Sequence, residues 1–363
     1  MNELEIKQKR INDLLEKHKL DGLLLHRVSS FAWATCGASS YINTASSYGE
    51  ASILLLPPKK YIVTNNIEAT RLEKEERLNE KGWEFLATQW HENSGLVGKL
   101  IRKKRIGSDT CLDGYVDLSF ELARIRASLT TEEGQRFRAL GRLCAEAMNA
   151  AAHNLHPGQT EHEIAGILSK EVEGRGVQVI VNLIATDERI FSFRHPLPTD
   201  KKLQRYALLI ICGRWKGLVC SITRLVHFGH LPKELQKKSK AVSEVDTALI
   251  AATRPGVKLG EIFQIGVNAY NDVGFPDEWK LHHQGGPAGY EPREFIVTPD
   301  VEDRVEIGQV YAWNPSITGT KSEDTFLVDE NENEILTEID GWPTYSVEVN
   351  SRIYHRPAIL EMI

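Results

Sequence analysis

The chain alternates between stretches with helical spacing of apolar residues and short apolar runs bounded by breakers. Residues 3–19 carry Leu4, Ile11, Leu14 and Leu15 between charges, which predicts a helix. Gly22–Leu25 reads as a buried strand, and Ala51–Leu56 and Tyr61–Thr64 read as two strands around Pro57-Pro58. Residues 66–78 are helical and highly charged. This order of elements to about residue 127 suits an α/β unit.

From residue 130 the pattern changes. Thr130 and Glu133 have capping-box spacing and open a long helix to about Leu155, which Pro157-Gly158 stops. Thr160 and Glu163 repeat the spacing and open a helix to about Glu173. Strand-like segments follow at Val177–Ile184, Tyr206–Cys212 and Gly217–Val226. Two helices, near 233–253 and 259–273, are split by Arg254-Pro255-Gly256. Glu294–Val297, Gln309–Trp313, Asp324–Val328 and Glu334–Leu336 return to strand-like patterns. Paired helices with antiparallel-type strands predict an α+β fold here. The expected domains are 1–127, a smaller α/β unit, and 128–363, which carries the site.

Composition narrows the class. At 363 residues two domains are expected, and 41% hydrophobic with 26% charged residues excludes a disordered or collagen-like chain. Ala207–Cys212, among the longest apolar runs, is far short of a membrane span, and the acidic start lacks a secretory h-region. Lys+Arg 44 against Asp+Glu 50 gives −6, which argues against a nucleic-acid or membrane surface. The five cysteines are widely spaced without C-x-x-C, so neither a disulfide framework nor a structural zinc site is expected; a reducing cytosol is the simplest compartment. Cys212 and Cys220, in apolar strands, read as inert core thiols.

Four segments crowd reactive residue types. Phe191–Pro196 holds His195 before a proline, which keeps it extended, as a cleft histidine or as a surface-loop one. His282–Glu294 packs His282, His283, Tyr290, Arg293 and Glu294 around glycines, as a ligand-binding loop or as a solvated turn. Tyr311–Pro315 and Gly319–Thr325 place Trp313, Asn314, Lys321 and Glu323 at strand ends; singly, each reads as a turn. G-x-S-x-G, H-E-x-x-H and G-x-x-x-x-G-K are absent.

Together and in this order the segments resemble the pita-bread superfamily of creatinase, aminopeptidase P, prolidase and methionine aminopeptidase. Arg10–Leu25 resembles the creatinase-type N-terminal domain. Leu155-His-Pro-Gly158-Gln-Thr-Glu161 resembles the family's helix junction, and Ser322–Val328 with Glu334–Thr337 its closing strands. The resemblance implies a C-terminal pita-bread domain, a creatinase-type N-terminal domain and a homodimer.

It also implies a missing metal centre. The family's metallopeptidases use two Asp, one His and two Glu. In register, this chain has Ile211 in Ile211-Cys-Gly213, Ser221 in Ser221-Ile-Thr-Arg224, Gly286, Asn314 and, alone surviving, Glu323. Residues 206–226 contain no Asp, Glu or His, so no other register restores the first two ligands. One carboxylate cannot hold two divalent ions; no metal and no cofactor are expected.

Creatinase is the superfamily's metal-free member, and against it His195 matches the acid/base His, His282 a second pocket His, and Arg293-Glu294 a pair whose Arg grips the substrate carboxylate. The expectation is a metal-independent C–N hydrolase acting on a small carboxylate-bearing substrate, with catalytic His195, His282 and Glu323. Arg293, Glu294, Asn314, Tyr290, Trp313, Lys321 and His283 are the expected pocket. Two creatinase carboxylates are absent, at Asn314 and near Thr223, which points away from creatine itself. The alternatives are an inactive binding protein and an Xaa-Pro aminopeptidase- or dipeptidase-like hydrolase with a rearranged metal site.

Overall fold

A computed structural model describes residues 1–92 and 95–363. It forms two compact units, Met1–Glu132 with Lys216–Leu218, and Glu133–Trp215 with Val219–Ile363. Among the described residues no helix is long and apolar enough to cross a membrane.

The first unit runs α1 (Glu3–His18), β1 (Gly22–Arg27), α2 (Val28–Ala34), β2 (Tyr48–Leu56), β3 (Lys59–Asn65), α3 (Asn66–Lys74), β4 (Glu84–Thr88), α4 (Leu96–Ile101), β5 (Ile106–Ser108), β6 (Val116–Asp117) and α5 (Ser119–Ala127). Its six strands form one mixed sheet in the order β4-β3-β2-β1-β5-β6. Asn2 and Glu5 close a capping box that starts α1, and Ile11, Leu14 and Leu15 bury its apolar stripe.

The second unit continues with α6 (Thr131–His153), α7 (Glu161–Glu173), β7 (Gln178–Thr186), α8 (Glu188–Ser192), β8 (Tyr206–Trp215), β9 (Leu218–Phe228), α9 (Lys233–Ala252) and α10 (Leu259–Asp272). A 3-10 turn at Glu278–Leu281 leads into β10 (Gly285–Ala288), β11 (Val310–Trp313), β12 (Ser316–Ile317), β13 (Thr320–Lys321), β14 (Asp324–Leu327), β15 (Glu334–Ile335), β16 (Thr344–Val349), β17 (Arg352–Pro357) and β18 (Leu360–Met362). Two four-stranded sheets form, β18-β9-β8-β7 and β10-β11-β14-β15. Thr160 Oγ1 accepts from Glu163 N at 3.1 Å and Glu163 accepts from Thr160 N at 2.7 Å, so the second capping box forms as the spacing predicts.

Strand alternation decides which side chains meet. On β11, Tyr311 and Trp313 are buried against Val245, Leu249 and Phe263 of α9 and α10. Ala312, between them, pairs with Gly286 on one side and Thr325 on the other.

Two local expectations change. The glycine-rich segment begins as strand β10 rather than as a loop. Glu294–Val297 is not a strand: it bonds back to β10 through Glu294 N to Pro287 O and Val297 N to Gly285 O. Three residues on one side then span two on the other, which breaks a regular ladder.

Candidate active site

The extended segment Lys321–Thr325 organises the site. Its alternate residues point opposite ways. Lys321 and Glu323 enter one polar cluster. Ser322 and Asp324 enter another, fully buried one: Ser322 donates to Asp246 at 2.5 Å, Asp324 pairs with Arg224 at 2.8 Å, and Arg356 bridges Asp246 and Asp324 at 2.7 Å each. This four-charge network underlies the site and fixes the segment's orientation.

Glu323 is 3% exposed, and every contact it makes is with a donor. Arg293 Nη2 donates to Oε1 at 2.9 Å, Lys321 Nζ lies 2.8 Å from Oε2, and Thr223 donates to Oε2 at 2.6 Å. Burial alone would raise its pKa. The charges of Lys321 and Arg293, with hydrogen bonds from Lys321 and Thr223, outweigh burial and hold the carboxyl well below the usual range. Glu323 is therefore permanently ionised.

Arg293 corrects an expectation. Its Nη1 donates to Ser221 Oγ at 3.1 Å and to Pro292 O at 2.6 Å, and its Nη2 to Glu323. The fork expected to grip a substrate carboxylate already grips a protein one.

The imidazoles gather beside this cluster. His195 Nε2 lies 3.0 Å from His282 Nε2, and the His282 ring stacks on His283 at 4.4 Å between centroids. Burial, then the charge of Lys321, lowers the pKa of His195 and takes that of His282 down to about 2. Burial, then Arg293, takes His283 down to about 4. All three are neutral at pH 7. The segment carrying His195 is tied at both ends to the buried Glu161 carboxylate, which accepts from Thr186 N at 2.8 Å and from Thr199 N at 2.9 Å, and pairs with Arg189. The sequence gives no sign of this tether beyond the Thr160-Glu161 pair, because its partners are far apart along the chain.

Other expected pocket residues lie elsewhere. Trp313 is in the helix-side core, its Nε1 donating to Thr253 Oγ1 at 2.9 Å, because an even step along β11 turns it away from the site. Tyr290 donates to Glu133 at 2.6 Å, at the start of α6. Glu294 accepts from Tyr290 N at 2.7 Å and holds the turn in shape. Asn314 is 3% exposed, and its Oδ1 has no hydrogen-bond partner. The structure adds residues that the sequence marked only as lost ligands or as a core thiol. Thr223 and Ser221 are bonded into the cluster, and Cys212, 3.3 Å from Ser221 Oγ, is a thiol pushed up to about 11 by burial and then by Glu323. A larger cavity of about 540 Å³ lies in the first unit, lined by Leu24, His26, Ser52 and others, but no comparable cluster of ion-paired and imidazole groups faces it.

The profile of metallopeptidase family M24 matches residues 135–330, so the chain belongs to that family. An uncharacterized peptidase of Staphylococcus aureus strain MW2 is 24% identical over 251 residues, covering 66% of this chain and 70% of that one. One of Staphylococcus haemolyticus is 26% identical over 249 residues, with the same coverage. Among solved structures, a Pyrococcus horikoshii dipeptidase superposes with TM-score 0.79 at 17% identity, over 99% of this chain and 100% of that one. The Xaa-Pro dipeptidase of Bacillus anthracis gives 0.78 at 16%, with the same coverage. The N-terminal domain of the FACT complex subunit SPT16 from chickpea gives 0.72 at 13%, over 93% and 96%. The fold is the pita-bread fold.

The family name implies metal, and the residues at the register of the family's two-metal centre do not fit it; the one group among the described residues that could hold an ion is His195, His282 and His283, whose ligand nitrogens lie within 4.8 Å of one another. Both oxygens of Glu323 are taken by cations. At Gly286, the register of the metal-binding His, an added Cβ would fall 2.5 Å from the Phe295 carbonyl oxygen, so no side chain fits. Ser221 and Asn314 offer neutral oxygens, and Cys212 stays protonated. Two fixed side-chain cations stand beside the one remaining carboxylate.

Proposed function

We propose that this chain is a metal-independent hydrolase that cleaves a C–N bond in a small carboxylate-bearing compound, in the manner of creatinase. The 3.0 Å contact between the neutral imidazoles of His195 and His282 carries this reading. A useful general base has a pKa near the working pH. His282, taken down to about 2, is too weak a base, so it orients its neighbour, and His195 exchanges the proton.

In the step, the oxygen of water bonds to the substrate carbon while one water proton passes to His195. The C–N bond breaks with its electron pair on nitrogen, which takes the proton from His195 as it leaves. Lys321 supplies positive charge where negative charge builds on the carbon's substituent. Glu323 keeps Lys321 and Arg293 in place.

Chelator-treated protein screened against small guanidino, ureido and cyclic amidine acids tests this. Turnover indifferent to chelator and abolished in His195→Ala is expected. Turnover that needs added divalent ions, or occurs only on Xaa-Pro peptides, would return the chain to metal-dependent peptidase chemistry. The second reading is a binding protein of the same fold. It is favoured by Glu323, which sits between two cations and is not free to act as base or nucleophile. Ligand binding with no turnover on any acid in the screen would select it.

A further inference from the structure

Next to His282 lies a cavity of about 10 Å³, lined on its polar side by Arg194, His282, Ser316, Thr320 and Lys321 and on its apolar side by Ile190, Phe193 and Leu208. It has room for one water-sized group. Four of its residues contribute polar atoms hidden from solvent and without any hydrogen-bond partner: Arg194 Nε, His282 Nδ1, Ser316 Oγ and Thr320 Oγ1. Ser316 is 2% exposed and His282 9%. Buried polar atoms in folded proteins are paired as a rule, so four orphans around one hole mark a place built for an occupant.

The chemistry of the lining says which. The Nε–H of Arg194 and the ammonium of Lys321 can only donate. No carboxylate lines the cavity. Both cations are anchored by other groups, Arg194 through Nη2 to Glu278 at 2.7 Å and Thr318 at 3.1 Å, and Lys321 to Glu323 at 2.8 Å. Those anchors leave the Nε–H of Arg194 and further ammonium protons of Lys321 for the cavity. The occupant must accept hydrogen bonds, and the two cations favour one that carries negative charge.

We propose that this cavity receives one oxygen of a small carboxylate, and that Arg194, Ser316 and Lys321 select the ligand as an acid. The subsite takes over the role first expected of Arg293. It sits against His282, and so holds the acid beside the His195–His282 pair. Calling the occupant a substrate rests on the hydrolase reading; the binding claim does not.

The test is a titration of the ¹⁵N-labelled full chain with sodium acetate and, separately, acetamide at constant ionic strength. The Arg194 Nε–H signal, assigned by its loss in Arg194→Lys, is read with the backbone amides of Thr320 and Lys321. Acetate should shift all three saturably and acetamide none, and Ser316→Val and Arg194→Lys should each weaken acetate by about tenfold on the amide signals. No acetate shift, an equal response to acetamide, or acetate binding unchanged in both variants would overturn the subsite and leave the cavity as a site for water. Turnover is not read, so the two readings fail separately. Acetate binding without turnover on any acid removes the hydrolase and keeps the subsite. Turnover without acetate binding removes the subsite alone.

Discussion

Around Glu323 every charge is met: Arg293, Lys321 and Thr223 saturate the carboxylate, and behind it Asp246, Asp324, Arg224 and Arg356 neutralise one another. Around His282, by contrast, Arg194 Nε, Ser316 Oγ and the Nδ1 atoms of His282 and His283 stand without partners. The first region is finished in charge: every ionised group has an opposite charge in contact, and its leftover buried atoms, Arg293 Nε, Arg224 Nε and Asp246 Oδ1, belong to side chains already held through their other atoms. The second is unfinished, and its missing partners are the mark of a ligand. A cluster of ionisable residues in an old active site is thus not by itself evidence of chemistry. The distinction lies in whether the groups are already spoken for.

The largest effect should come from breaking the finished region. Arg356→Met leaves Asp246 and Asp324 buried without their shared cation and should cost about 3–5 kcal/mol in urea unfolding. A loss below about 1 kcal/mol would show that the network is not a rigid support.

Acid should act next, through the unfinished region. His282 and His283 titrate at about 2 and about 4 in the folded chain, against 6.5 when unfolded. Below pH 6.5 the unfolded chain therefore binds more protons, so the stability these groups contribute is complete above that pH and declines from 6.5 toward 4. His282→Gln should flatten the decline. An equal slope in wild type and variant would assign the acid sensitivity to other groups.

The smallest effect should come from Tyr290, which belongs to neither region. Tyr290→Phe removes the 2.6 Å bond to Glu133 and should cost about 1.5–3 kcal/mol, with the acetate response of Lys321 unchanged. A changed acetate response would bring Tyr290 back into the pocket.

Much of this was legible along the chain. The second capping box, the strands expected from Val177 to Leu336 other than Glu294–Val297 and the two helices after residue 233 follow from local spacing, and the structure has them with ends shifted by a few residues. So does the loss of carboxylates from residues 206–226, a matter of composition alone. His195, His282, Lys321 and Glu323 were legible as candidates, and they do meet. Trp313 was misjudged because period-2 alternation separates two faces of a strand without saying which one the helices cover. The pairing of Arg293 was not legible because its partners, Ser221 and Glu323, lie 72 and 30 residues away.

The sequence by itself determined the elements, the family resemblance and the lack of carboxylates in residues 206–226, since helix caps, turn residues and side-chain identity are local facts of side-chain chemistry. Only the tertiary structure decided which of the remaining polar groups are paired and which are left open. Pairing depends on distances of a few ångströms between residues far apart in the chain, and burial then converts each pair, or each missing partner, into a large difference in free energy.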